Sequence, residues 1–233
     1  MIRLENIMKT YTAGGAVTKA LQGISLNIDD GDYLAIMGTS GCGKSTLLNI
    51  LGGMDRPSGG SYFFDDIAVH EMSVKKLHVF RKQNISFVFQ NFALLNRYTV
   101  FENIELPLIA RGVGMTKRKK IVNDTMERLG ISDLKNKLPI HISGGQQQRT
   151  ALARAIVTEN RLILADEPTG ALDKNTSEEI MGVFDEINKS GRTLVIVTHD
   201  VNVAQHAKKT IHMEDGLFVE SDLNGPASNS IES

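Results

Sequence analysis

The sequence predicts an α/β fold with a mostly parallel, doubly wound central sheet, and three observations carry that reading. Four short β-rich runs, Tyr33 to Met37, Ile85 to Phe89, Leu162 to Ala165 and Thr193 to Thr198, are apolar enough to be buried on both faces. Helical patterns separate them, and strands alternating with helices argue for a parallel sheet covered on both sides. A glycine-rich stretch follows the first run and opens directly into the apolar segment Leu47 to Leu51, as a strand-to-helix turn requires.

Taken in order, the N-terminal segments Ile2 to Tyr11, Leu21 to Ile28 and Gly60 to Phe64 are short and separated by Gly- and Asp-containing turns, which predicts an antiparallel sheet beside the main one. From Asn91 to Glu159 the alternation stops. That stretch reads as an inserted helical subdomain, with Lys117 to Leu129 its surest helix and Ala151 to Val157 another. Thr176 to Ser190 repeats Ile180, Val183, Phe184 and Ile187 at helical spacing; Thr176 with Glu179 suggests a capping box and Gly191 a stop. The expected organisation is one domain over residues 1–220, with 1–90 and 160–220 forming the core and 91–159 the insertion. The polar segment 221–233, rich in Ser, Asn and Gly, reads as a disordered tail.

Length bounds the rest: 233 residues can bury one substantial core with a smaller subdomain, but not two full enzyme domains. With 26 basic and 27 acidic residues the net charge is -1, so no global field draws the chain to nucleic acid or anionic lipid. No apolar run approaches the ~20 residues that span a bilayer, and the start Met1-Ile2-Arg3-Leu4-Glu5-Asn6 does not read as a signal peptide. Cys42 is the only cysteine, which excludes an intrachain disulfide. These features together lead us to expect a cytosolic chain.

Gly38-Thr39-Ser40-Gly41-Cys42-Gly43-Lys44-Ser45-Thr46 fits G-x-x-x-x-G-K-[ST] between a strand and a helix. Glycines let successive N–H groups turn inward, and the helix adds its positive end, so a triphosphate is gripped mainly by main chain. Lys44 supplies a point charge, and the Ser45 hydroxyl is placed to ligate Mg²⁺ between the β- and γ-phosphates. Cys42 reads as a tolerated small residue, with modification there expected to block nucleotide. The strand Leu162 to Ala165 ends in Asp166 and Glu167, at the carboxyl end where such sheets present chemistry. Asp166 is assigned to Mg²⁺ and Glu167 to the water that attacks the γ-phosphate, so the expected reaction is ATP hydrolysis. Gln90 ends a strand where the insertion begins, which suits it to joining Mg²⁺ chemistry to a moving segment.

Ile142-Ser143-Gly144-Gly145-Gln146-Gln147-Gln148-Arg149 is the most discriminating feature: a hydroxyl and two glycines at a helix start form a second phosphate grip. Two grips in one chain make sense if two copies pair head to tail, each offering Ser143 to the other's nucleotide. On these residues the chain resembles the ATP-binding subunit of an ABC transporter over nearly its whole length. That resemblance implies a RecA-like P-loop NTPase core and a set of roles. Gly38 to Thr46 correspond to the family's Walker A loop, Gln90 to its Q-loop, Ser143, Gly144, Gly145 and Gln146 to its signature, and Asp166 and Glu167 to Walker B and the catalytic Glu. Asp173, in Ala171-Leu172-Asp173, corresponds to the D-loop, His199 to the switch His on the γ-phosphate, and Tyr11 to the aromatic that stacks on adenine. Ile142 in place of Leu, and Cys42 in place of Ser or Ala, are its departures.

The segments Ala165 to Asp173, Val88-Phe89-Gln90 and Asn103 to Leu108 are similar to the branch holding macrolide-exporter, lipoprotein-release, antimicrobial-peptide-resistance and cell-division ATPases. The implied partners are a second copy and an integral membrane permease at the inner face of the membrane. Phe92, Leu94, Leu95, Tyr98, Val100 and Phe101 mark the expected dock within 91–101. Alternatives are a signalling ATPase that moves no substrate, separable by a transport assay, and a soluble ABC ATPase of DNA repair or translation, for which a coiled-coil or zinc insertion or tandem cassettes are expected. His70, His78, His141, His206 and His212 lack metal-ligand spacing, and Lys117-Arg118-Lys119-Lys120 reads as a solvated helix face.

Overall fold

A computed structural model describes residues 1–219, so the segment read as a tail lies outside the described residues. In chain order the strands and helices begin with β1 (Ile2–Ala13), β2 (Ala16–Ile28), β3 (Tyr33–Met37) and α1 (Lys44–Leu51). Next come β4 (Gly59–Phe64), β5 (Ile67–Ala68), α2 (Val74–Asn84) and β6 (Ile85–Val88). Three helices follow, α3 (Val100–Ala110), α4 (Met115–Arg128) and α5 (Gly144–Ile156). The chain then runs through β7 (Leu162–Asp166), α6 (Lys174–Lys189), β8 (Thr193–Thr198), α7 (Val201–Ala204), β9 (Lys209–Glu214) and β10 (Leu217–Phe218).

The strands form two sheets. The smaller has the order β2-β1-β4-β5 and is antiparallel, with Leu4 opposite Leu26 and Ile2 opposite Phe64. In β2 the buried residues Ile24, Leu26 and Ile28 alternate with exposed Ser25 and Asn27, the period expected when one face is covered. The larger sheet runs β10-β9-β3-β8-β7-β6. There β3 pairs parallel with β9 and β6 parallel with β7, while β10 closes an antiparallel edge on β9. Its strands β7 and β8 are continuous buried runs, as parallel strands covered on both faces must be.

The chain divides into two compact units: Met1–Asp29, Leu34–Glu71 and Val197 onward in the first, Asp30–Tyr33 and Met72–Ile196 in the second. Within the second unit, residues 91–159 contain helices and turns and no strand. Helix α3 starts at a full capping box: Thr99 accepts from the Glu102 N–H, and Glu102 accepts from the Thr99 N–H at 2.7 Å. Buried Asn103 donates from its amide to the carbonyls of Leu95, Tyr98 and Thr99 and accepts from the Leu95 N–H. One side chain thereby holds the loop before α3 in a fixed shape.

Two helix starts differ from the sequence reading. Helix α6 is capped by Asp173, whose carboxylate accepts from the Thr176 N–H at 3.1 Å and from the Thr176 hydroxyl at 2.7 Å; Thr176 is a partner of the cap and not the cap. A carboxylate is the stronger acceptor and complements the helix dipole, so Asp173 takes the position. Helix α5 starts at Gly144 and not at Ala151, because Ser143 caps it.

Candidate active site

In the first unit, residues 38–43 form the turn between β3 and α1, and 44–46 are the first residues of that helix. Gly43 caps α1 with φ 108°, a left-handed conformation that favours glycine, and a Cβ there would lie 2.5 Å from the Ala20 carbonyl oxygen. The backbone of the loop therefore passes as close to β2 as it does only because position 43 has no side chain. Buried Lys44 donates from Nζ to the carbonyls of Gly38 at 2.7 Å and Thr39 at 2.8 Å. Its ammonium is held inside the loop by the main chain that surrounds it. Thr39, Ser40, Gly41 and Ser45 are exposed at the mouth, and Thr46 is half-buried.

Cys42 is buried, with Sγ 3.8 Å from Lys44 Nζ, and a Cβ on Gly38 would meet that sulfur at 2.7 Å. The sulfur packs as part of the loop, so position 42 is a filled place and not a free one. Tyr11, 41% exposed, donates from its phenol to Asp55 Oδ2 at 2.8 Å. Burial and the Asp55 carboxylate push the phenol above its ordinary pKa. Lys9 bonds Asp55 at 2.7 Å and lies 4.8 Å from the Tyr11 ring centroid, covering part of one ring face. His199 follows β8 at an exposed position, where the Thr198 hydroxyl accepts from the Asp200 N–H.

In the second unit the structure brings the remaining residues together. Asp166 is the last residue of β7, and Glu167 follows with φ 45°, so the chain turns at once and the two carboxyl groups leave the strand's alternation. The turn closes through the Gly170 N–H on the Glu167 carbonyl at 3.1 Å. Gln90 stands over that turn: a Cβ added to Gly170 would lie 3.2 Å from Gln90 Nε2. Ser143 is exposed, accepts from the Gln146 N–H and donates its own N–H to Gln146 Oε1, a second full capping box. Its hydroxyl hydrogen is still available to an acceptor. A Cβ on Gly144 would lie 3.9 Å from both Phe92 Cζ and Leu172 Cδ2, and one on Gly145 would meet Thr176 Cγ2 at 2.6 Å. The signature, the segment after Gln90 and the Ala171-Leu172-Asp173 turn are thus packed on one another.

Sequence reasoning missed three supports of these groups. Arg154, on α5, donates from Nη2 to the Phe92 carbonyl at 2.8 Å and from Nη1 to the Ala93 carbonyl at 2.6 Å. Phe92 and Ala93 have φ 61° and 46°, two successive left-handed residues without a glycine. Gln148 donates from Nε2 to the Pro168 carbonyl, tying α5 to the turn after Glu167. Asp55 holds Tyr11. A signal for Arg154 does exist in the sequence, since it is a lone cation inside Ala151, Leu152, Ala153, Ala155 and Ile156.

Among the described residues no group of three or more His, Cys, Asp or Glu side chains could hold a metal by itself. Mg²⁺ takes few protein ligands and completes its shell with phosphate oxygens and water, and each unit by itself offers an oxygen donor of that kind, the Ser45 hydroxyl in the first and the Asp166 carboxylate in the second. No helix among the described residues is long and apolar enough to cross a membrane.

Comparison with known proteins places this geometry. The ABC transporter family matches residues 21–170. A macrolide export ATP-binding/permease protein, MacB 1/2 of Paracoccus denitrificans (strain Pd 1222), is 44% identical over 230 residues, which is 98% of this chain and 34% of that protein. The uncharacterized ABC transporter ATP-binding protein YvrO of Bacillus subtilis (strain 168) is 44% identical over 219 residues, 94% of this chain and 96% of that one. The ATP-binding cassette MJ0796, in a dimeric post-hydrolysis state bound to ADP and Pi, superposes with a TM-score of 0.88 at 41% identity, covering 94% of this chain and 96% of its own. With the P-loop NTPase fold, the chain belongs to the ABC transporter family and is an ATP-hydrolysing cassette of it.

Proposed function

We propose that two copies of this chain pair head to tail around two ATP·Mg and drive a separate membrane permease, the chain itself lying on the cytoplasmic side. The observation that carries this reading is that one chain holds two helix starts suited to phosphate: Gly43 and Lys44 on α1, and Ser143 and Gly144 on α5. The second has its hydroxyl at the surface, where another molecule can use it. The dimeric state of MJ0796 and the joined ATP-binding and permease parts of MacB support the two partners.

In this reading residues 38–46 wrap the triphosphate, Lys44 leaves its loop carbonyls for phosphate oxygens, and Tyr11 offers its ring to the base. Ser45, Gln90 and Asp166 would hold Mg²⁺, which would supply positive charge to offset the phosphates. Glu167 accepts the proton of the attacking water, and His199 orients the γ-phosphate. From the second copy, Ser143 donates its hydroxyl hydrogen to a γ-phosphate oxygen, with Gly144, Gly145 and Gln146 shaping that helix start and Asp173 near the crossing. Catalysis is then chiefly the placing of positive charge where negative charge gathers.

The helical subdomain, residues 91–159, carries the motion outward. Leu95 and Tyr98 are exposed, 46% and 43%, while Phe92, Leu94 and Phe101 are half-buried and Val100 is core. The permease docks on the exposed pair within 91–101, next to Gln90.

Glu167→Gln tests the dimer and the base together. The amide keeps the shape but cannot accept a proton, so turnover should vanish and ATP should convert monomers to dimers by light scattering. Turnover near the wild-type rate removes Glu167 from its role, and a chain that stays monomeric with ATP removes the sandwich.

A further inference from the structure

Two stretches of the second unit depart from the charge balance of the whole. Residues 74–84 carry four lysines and arginines and residues 109–120 carry five, with no Asp or Glu in either stretch, in a chain of net charge -1. The structure joins these two distant stretches. Lys82 Nζ donates to the Ala110 carbonyl at 2.7 Å, and Arg111 donates to the carbonyls of Lys82 and Gln83, so the end of α2 is knitted to the turn between α3 and α4.

Within this face Arg118 is paired with Glu105 at 2.8 Å, and Arg111 is spent on carbonyl groups and Asn160. The other lysines differ. Lys75, Lys76, Lys117, Lys119 and Lys120 are exposed, and no ion pair engages them among the described residues. A solvated helix face normally gains from i, i+4 ion pairs; Lys120 stands at that spacing from Asp124, but no ion pair joins them among the described residues. Both helices also begin with lysines and no acidic residue in the first turn, against the helix dipole, and α4 has no side-chain cap at Gly114. Local stability does not account for such a choice.

Large apolar side chains stand out among these lysines: Val74 is 78% exposed and Met115 60%, with Val79 and Ile109 also exposed. On α2 the positions Lys75, Val79 and Lys82 share one stripe, while Leu77 and Phe80 are buried on the other. An unpaired basic face with aliphatic groups projecting from it fits a polyanion that has apolar depth, which is an anionic phospholipid surface. Nucleic acid fits less well, because no Phe, Tyr or Trp is exposed on these stretches to stack on bases.

We propose that this face, α2 with the start of α4, rests on the anionic headgroups of the leaflet that holds the permease, as a lipid contact distinct from the dock at 91–101. The choice of a membrane rests on the permease reading above; the charge and the exposed apolar groups do not.

Sedimentation of the full chain with vesicles tests it. Binding is expected to phosphatidylcholine mixed with phosphatidylglycerol and not to phosphatidylcholine alone, and high salt should weaken it. Lys75→Glu with Lys76→Glu, and separately Lys119→Glu with Lys120→Glu, should each lower affinity for the mixed vesicles roughly 20-fold or more. Lys19→Glu, a single charge reversal on the other unit, should leave binding as in wild type, and all three should keep the wild-type melting curve. No binding to mixed vesicles, or equal binding by the Lys→Glu pairs and wild type, overturns the proposal. So does binding to short duplex DNA as tight as to the mixed vesicles. Leu95→Glu separates the two readings: vesicle binding kept while permease association is lost leaves both in place, and permease association kept removes only the dock.

Discussion

Arg154→Met removes the guanidinium that holds Phe92 and Ala93 and keeps most of the side chain's length. Two hydrogen bonds disappear, 2.8 Å to the Phe92 carbonyl and 2.6 Å to the Ala93 carbonyl. Bonds from charged donors contribute roughly 1.5–3 kcal/mol each. Ala93 is exposed, so water replaces part of its bond, whereas Phe92 is half-buried. The methionine also recovers some apolar burial on α5. The net loss should therefore be about 2–4 kcal/mol, which for a chain of this size lowers the melting temperature by about 5–12 °C. The left-handed pair costs on the order of 1–2 kcal/mol per residue to hold, so without its clamp the segment should relax locally as well. Hydrogen exchange across residues 91–99 is expected to speed up while the amides of β7 and β8 stay protected. Arg154→Lys should recover part of both effects, because one ammonium can still reach one carbonyl. A melting point indistinguishable from wild type, with unchanged exchange at 91–99, would refute the clamp.

Lys44→Ala should weaken ATP binding by roughly tenfold or more, since a charge-assisted contact to phosphate is lost while the backbone cradle remains; unchanged affinity by titration calorimetry removes the loop assignment. Ser143→Arg should leave each chain able to bind ATP on its own loop but suppress hydrolysis. Mixing it with Lys44→Ala chains creates one intact site per mixed dimer, so activity that never returns despite confirmed mixed dimers argues that both grips act within one chain. Leu95→Glu should leave the melting curve and ATP affinity alone and release the chain from permease-containing membranes, because a carboxylate buried without a partner costs about 3–5 kcal/mol at an interface. Sedimentation equal to wild type rejects 91–101 as the dock.

Much of the site could be read along the chain because its parts are contiguous. The loop 38–46 is one uninterrupted motif between a strand and a helix, and β7 with its two terminal carboxyl groups is another. Buried strands such as β8 announce themselves by apolar runs alone. What stayed hidden was decided by tertiary neighbours. Tyr11 and Asp55 lie 44 residues apart, and Arg154 reaches 61 and 62 residues back to Ala93 and Phe92, distances that no local periodicity encodes. The α6 cap failed for a different reason. Both Asp173 and Thr176 are good capping residues three apart, and only the geometry of the turn after Gly170 shows which one accepts the helix N–H. The run Lys117 to Lys120 was visible as a basic helix start, but its link to α2 runs through Lys82 and Arg111, which reach 28 and 29 residues along the chain.

The single thiol of this chain is packed inside the phosphate loop, 4% exposed and against Gly38 and Lys44. A reagent can reach it only when the loop opens, and no other thiol competes for the label. The rate of alkylation therefore measures how often the loop breathes, without any engineered probe. Nucleotide that stiffens the loop should slow that clock in proportion to occupancy. Alkylation of Cys42 would thereby report the dynamics of residues 38–46 at one known atom.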